Sequence, residues 1–383
     1  MVRPYSSDHV MYQECIEVFR PEKTQTIGEK ENVGFILLNF ELKNEWDFGK
    51  FKISPTREVS LGGIYHAFIA PIVWFEPIES DKIHLVAIAI GSLVSFIVSR
   101  PVKTARDSFF MTDIDTDEGL KERGMYFPIK QAGTGFTNTQ ISKERIEQYY
   151  TELLVLTKLL YKIPYSDYKR FMQAIRLVNL GHNNKREEFS LSYYLLVSAI
   201  ESIAQLAIPI ERPKDPKEDE WEELAKSNKA VKSLLGQYKS LRDSGNQLTK
   251  RFGQFILKYC PIDEWELHEH PLANAIDTYL SEFKADQLKD LTKKQWYEIL
   301  PEELKPKEIK IIIEDTYKYR SKFTHEGGPT PHSDPNASER FFETLIVVAS
   351  EAPLRFEKKL LIKHDFLSFI AKSTILKYLR QSY

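Results

Sequence analysis

Cysteine is nearly absent: Cys15 and Cys260 are the two thiols in 383 residues. A pair so far apart is too small for a zinc site, supplies no disulfide framework, and fits a reducing, cytoplasmic setting. An excess of one charge is also lacking. The formal net charge of −2 gives no global attraction to nucleic acid or anionic membrane, so contact with a polyanion requires a local patch. The opening MVRPYSSDHVMYQE has no apolar core of a signal peptide. Long hydrophobic runs are scarce as well. IHLVAIAIGSLVSFIVS, between Lys82 and Arg100, carries His84, Gly91, Ser92, Ser95 and Ser99 and stands alone, so it reads as a buried helix rather than a membrane span. Several catalytic signatures are missing. There is no GxSxG and no HExxH; AGTGF (132–136) has no lysine or strand-to-helix context for a phosphate loop; and LHEH offers only His268 and His270 around Glu269, without a third ligand. No metal or cofactor is expected.

What is present is a large apolar share, 42% hydrophobic and 12% aromatic, enough for a sizeable core and two domains. Residues 1–137 alternate strand-like runs, VGFILLNF and GIYHAFIAPIVWF, with the one apolar helix, an α+β signature. Trp46, Phe48, Phe51, Trp74 and Phe75 could offer stacking surfaces, though core is the more usual place for such rings. KQAGTGFTNTQ reads as a linker, and Ser142 as the N-cap of KERIEQYYTELLVLTKLLYK. Residues 138–383 then read as all-helical. YKRFMQAIRLVNLG stops at Gly181, FSLSYYLLVSAIESIAQLA before Pro209, and NQLTKRFGQFILKY before Pro261; KEIKIIIEDTYKYRSKFTH, ERFFETLIVVASEAPLRFEKKLL and HDFLSFIAKSTILKYLRQ complete the set. Polar stretches near 209–232 and 261–306 read as insertions.

The stretch YKYRSKFTHEGG, Tyr317 to Gly328, pairs an arginine that can grip phosphate with a histidine that can move a proton. Ile309, Ile312, Ile313 and Thr316 form an apolar stripe that continues to Arg320 and Phe323, which puts Arg320 on the core-facing side. A cation there needs a partner, and Glu201 in SAIES is a candidate; a glutamate on the helix surface is the alternative. His325 lies about 140° further round an ideal helix, so both groups meet one ligand only if the helix end tightens or unwinds, which Gly327 and Gly328 would permit. Spacing alone decides little. An arginine and histidine separated by four to six residues should occur by chance about once in such a chain, and RLVNLGH, Arg176 to His182, satisfies the same pattern.

Context separates the two. RFMQAIRLVNLG, SYYLLVSAIESI, LTKRFGQFIL and DTYKYRSKFTHEGG together resemble the helices of the HEPN superfamily, and within it the ApeA-like group, over 138–383. The resemblance implies an all-α helical-bundle domain whose late-helix Arg-x(4–6)-His motif is catalytic. That motif maps onto Arg320 and His325, with Glu201, Ser321 and Lys322 as supporting residues; RLVNLGH falls on an earlier helix with no such function, so Arg176 and His182 are read as structural. Two departures stand out. Many members follow the arginine with Asn, Asp or His where this chain has Ser321, and a variant with a modifiable tyrosine two residues after the histidine has its counterpart here in Gly327.

The resemblance further implies a homodimeric, metal-independent endoribonuclease, cutting RNA, conceivably tRNA, by 2′-hydroxyl attack at a composite site. Its implied setting is anti-phage defence by abortive infection, with the N-terminal domain sensing a phage-derived or other trigger or positioning substrate. Around the motif, Lys305, Lys307, Lys310, Lys318 and Lys322 are interleaved with Glu308, Glu314 and Asp315, which suits a selective enzyme better than one that slides on any polyanion. The alternative is a non-catalytic HEPN module that binds RNA or acts as a scaffold.

Overall fold

The computed structural model describes residues 8–22, 28, 30–60, 66–106, 116–126, 141–211, 214–244, 247–270, 293–332, 339–349 and 355–383. The expected linker KQAGTGFTNTQ, the boundary at 137/138 and residues 271–292 of the second polar stretch lie outside the described residues.

The N-terminal part opens with a helix that the sequence reading did not anticipate, α1 (Asp8–Phe19). An antiparallel sheet follows: β1 (Asn32–Leu38), β2 (Trp46–Asp47), β3 (Phe51–Ile53), β4 (Arg57–Ser60) and β5 (His66–Trp74). β5 is its spine, with β1 along one edge and β3 and β4 sharing the other; Phe35 lies opposite Pro71, and Phe51 opposite Trp74. Trp46, Phe51 and Trp74 are buried and Phe48 stacks on Phe51, so these rings are core. The apolar run forms α2 (Ile83–Val98), closed by Ser99 in the left-handed region. It packs on β1 and α1. A short helix, α3 (Asp117–Tyr126), touches β4 and β5.

Beyond it the chain is predominantly helical: α4 (Lys143–Lys162), α5 (Tyr165–Asn184), α6 (Phe189–Ala207), α7 (Glu218–Ser227), α8 (Lys229–Ser244), α9 (Leu248–Tyr259), α10 (Pro306–Glu326) and α11 (His364–Ser382). Ser142 caps α4, its Oγ accepting from the Arg145 N–H at 3.4 Å. α6 is the central helix, packed by α5, α9, α10 and α11, and α2 lies against α4 and α5, so one core runs from the sheet into the helices. The run Ser80–Val98 and α6 are both long and apolar enough to cross a membrane, and both are largely buried inside the fold.

Two expectations are corrected. The C-terminal part is not all-helical: ERFFETLIVVASEAPLRFEKKLL forms an antiparallel hairpin, β6 (Phe342–Ala349) and β7 (Arg355–Ile362), with Phe342 opposite Ile362 and Ala349 opposite Arg355. Thr344, Ile346, Val347 and Val348 are β-branched, and Pro353 stands in the middle of the run, where a helix would lose a hydrogen bond and clash. Gly181, expected to stop a helix, lies inside α5. A Cβ there would sit 3.2 Å from the Leu196 side chain, so the glycine allows α6 to approach, and the Ser192 Oγ donates to its carbonyl at 2.6 Å.

Candidate functional site

α10 begins at Pro306, whose missing N–H costs nothing in the first turn, and the Glu308 carboxylate accepts from the Lys305 N–H at 2.8 Å. Ile309, Ile312, Ile313 and Thr316 are buried as their spacing requires. The helix stays α-helical to Glu326 and is closed by Gly327 at φ 64°. Its end therefore neither tightens nor unwinds. The glycines stop the helix, and the five-residue step leaves Arg320 and His325 about 140° apart around the axis. One chain does not aim both at one ligand.

Arg320 turns inward. Its side chain is 20% exposed, and Nη2 lies 3.1 Å from the Glu201 Oε2 on α6, a carboxylate only 7% exposed. Of the two readings of Glu201, the ion-paired one is observed. Gln205, one turn on, donates its Nε2 to the Glu201 Oε1 at 3.1 Å. The guanidinium also lies 5.5 Å from the centroid of Tyr194 and 5.9 Å from that of Tyr317, while Tyr194 packs on Phe323 at 5.3 Å. Burial, and then the Glu201 carboxylate, push the Tyr317 phenol above its usual range. The grip on the arginine is monodentate. Its Nε is buried and has no hydrogen-bond partner among the described residues.

His325 points out. It is exposed in the last turn of α10. Ser321 is half-buried and Lys322 exposed. The flank is held by β7: the Lys359 Nζ lies 3.1 Å from the Asp315 Oδ2 and 5.2 Å from the Tyr319 ring.

The second Arg–His pair is built differently. His182 is buried, its Nδ1 3.1 Å from the Ser95 Oγ on α2 and its Nε2 2.7 Å from the Ser368 Oγ on α11. Because the Ser95 Oγ donates to the Arg100 carbonyl at 2.6 Å, Nδ1 is assigned the proton and Nε2 accepts from Ser368. Burial, with the nearby His364, holds His182 neutral with its pKa lowered to about 3. Arg176 lies over Tyr12, 4.7 Å from the ring centroid. The two histidines of LHEH are likewise internal. His268 sits among Phe341, Phe366 and Phe369, its pKa lowered to about 3 by burial; His270 is buried too; and among the described residues no three His, Cys, Asp or Glu side chains converge as a metal set.

No family model, no curated protein and no solved structure matches the chain. The site therefore rests on its own geometry. Tyr194, Tyr317 and Gln205 complete it and were missed from sequence, although Tyr194 precedes Glu201 by seven residues and Gln205 follows by four, the spacing of one helical face.

Proposed function

We propose that this protein is a HEPN-type endoribonuclease in which Arg320 and His325 from two chains form one composite site. The observation that supports it most is the division of labour at the end of α10. An arginine is held beside a buried carboxylate, and a histidine about 1.4 turns on is open to solvent.

In this mechanism a base takes the 2′-hydroxyl proton and the oxygen attacks the adjacent phosphorus. The P–O5′ bond breaks, the 5′-oxygen takes a proton from an acid, and a 2′,3′-cyclic phosphate remains. Histidine serves either proton role near neutral pH, and arginine stabilises the charge on the phosphorane oxygens. A single chain has one such histidine, so two chains are required for both roles. The resemblance extends the proposal to a selective, metal-independent nuclease of anti-phage defence, with tRNA as one candidate substrate and the N-terminal part as trigger sensor.

A second reading has its own support. Glu201 already neutralises Arg320, an arrangement that a structural ion pair explains without catalysis. Cleavage of total RNA in EDTA separates the two. Wild-type protein should yield fragments ending in 2′,3′-cyclic phosphate and His325→Ala should not; equal degradation by both would sink the assignment, and RNA retained uncut in a gel shift favours the binding module.

A further inference from the structure

α7 and α8 form a helical hairpin whose principal packing is with each other. Its inner face is complete: Trp221 meets Tyr238 edge-on at 5.5 Å, Leu235 is buried, and Lys239 lies 2.6 Å from Glu222 and 3.4 Å from the buried Glu218. Its outer face is also apolar. On α8, Ala230, Leu234, Gln237 and Leu241 follow the i, i+4, i+7, i+11 spacing of a coiled-coil seam, and all four are exposed, Leu234 at 65% and Leu241 at 74%. On α7, Leu224 is 56% exposed. Two exposed leucines one heptad apart on a projecting hairpin are the pattern of an interface rather than of a solvated helix.

The charges indicate what covers that face. Beyond the inner cluster of Glu218, Glu222 and Lys239, α7 exposes Asp219, Glu220 and Glu223 against Lys226, whereas α8 exposes Lys229 and Lys232. When two such hairpins stack face to face about a two-fold axis parallel to their helices, α7 of each copy lies over α8 of the other and the like-charged helices fall on the diagonals. The surface is self-complementary in sign.

We propose that the outer face of the α7–α8 hairpin is the homodimer interface, closing with a second copy as a four-helix bundle seamed by Leu234 and Leu241. The proposal stands on the hairpin's own features and holds whether or not the protein cuts RNA.

Analytical ultracentrifugation of the full chain tests it. Wild type should sediment as a dimer, and Leu234→Glu with Leu241→Glu should weaken association at least tenfold. Two charge variants make the test specific. Glu220→Lys with Glu223→Lys, and separately Lys229→Glu with Lys232→Glu, should each fail to self-associate, and their equimolar mixture should restore a two-chain species because both helix pairings are then opposite in sign. A monomeric wild type overturns the proposal, as do variants that dimerise unchanged or a mixture that stays monomeric. Loss of the folded circular dichroism signal in the leucine variant would mean that the face is covered within its own chain, which also overturns it. RNA cleavage is read separately: a hairpin dimer without cleavage leaves this inference intact and removes the nuclease.

Discussion

The ends of α5 and α10 carry the same kind of spacing, an arginine followed by a histidine, and the fold puts the two histidines in opposite settings. His182 is a neutral bracket between α2 and α11, with both ring nitrogens engaged. His325 stands in solvent, while the arginine before it is the partly buried, paired member. Arg176, by contrast, lies over the Tyr12 ring. Identical residue types at similar spacing therefore end in opposite settings, one histidine buried and engaged at both ring nitrogens and the other open to solvent.

The largest expected consequence of this contrast is in stability. His182→Ala removes a buried ring, leaves a cavity and strips Ser95 and Ser368 of their partner; it should lower unfolding free energy by about 3 kcal/mol in urea denaturation. A loss under 1 kcal/mol would refute the bracket. Arg320→Ala comes close behind, since it abandons the Glu201 carboxylate inside the fold, and should cost about 2–3 kcal/mol. Adding Glu201→Gln should recover part of that loss, and a double-mutant cycle that finds the two changes additive would mean that the ion pair carries no coupling. Loss of RNA cleavage in Arg320→Ala alone is therefore ambiguous between chemistry and unfolding.

Protons offer a finer probe. His182 and His268 are held near 3 and His364 near 4 by burial, against about 6.5 in an unfolded chain. Below that value the unfolded state binds more protons than the folded one. Stability should be full above about pH 6.5 and fall as pH drops towards 4, each histidine contributing up to about 1.4 kcal/mol per pH unit. His182→Gln should flatten this slope by one proton in denaturation at stepped pH. The smallest effect is the most useful one. His325→Ala should move stability by less than about 0.5 kcal/mol, so its activity can be compared with wild type without correction for folding.

Much of this was legible in the primary structure because it is local. The stripe from Ile309 to Thr316 sets the face of α10, Ser142 caps α4, and the place of Arg320 on the inward side already asks for an acid such as Glu201. What was not legible is non-local. Whether Phe342 to Ile362 forms a helix or a hairpin depends on the strand it pairs with, and its apolar residues satisfy both periods over short spans. Gly181 looked like a helix stop because glycine often is one; only the approach of Leu196 reveals its use. The tyrosines around Arg320 were invisible for the same reason, since rings on α6 and α10 meet only after packing.

The bracket at His182 has a consequence for the order of events during synthesis. α11 supplies Ser368 to that histidine and sends the Lys372 Nζ to the Ile97 carbonyl of α2 at 2.6 Å, across 275 positions of chain. It also packs on α6 and α9, the two helices that carry α10. A nascent chain that has emerged only as far as α10 has Arg320 and His325 in hand but lacks the helix that fastens their platform to α2. Such long-range closure is slow to fold, and it means that the end of α10 gains its final setting only after α11 has left the ribosome.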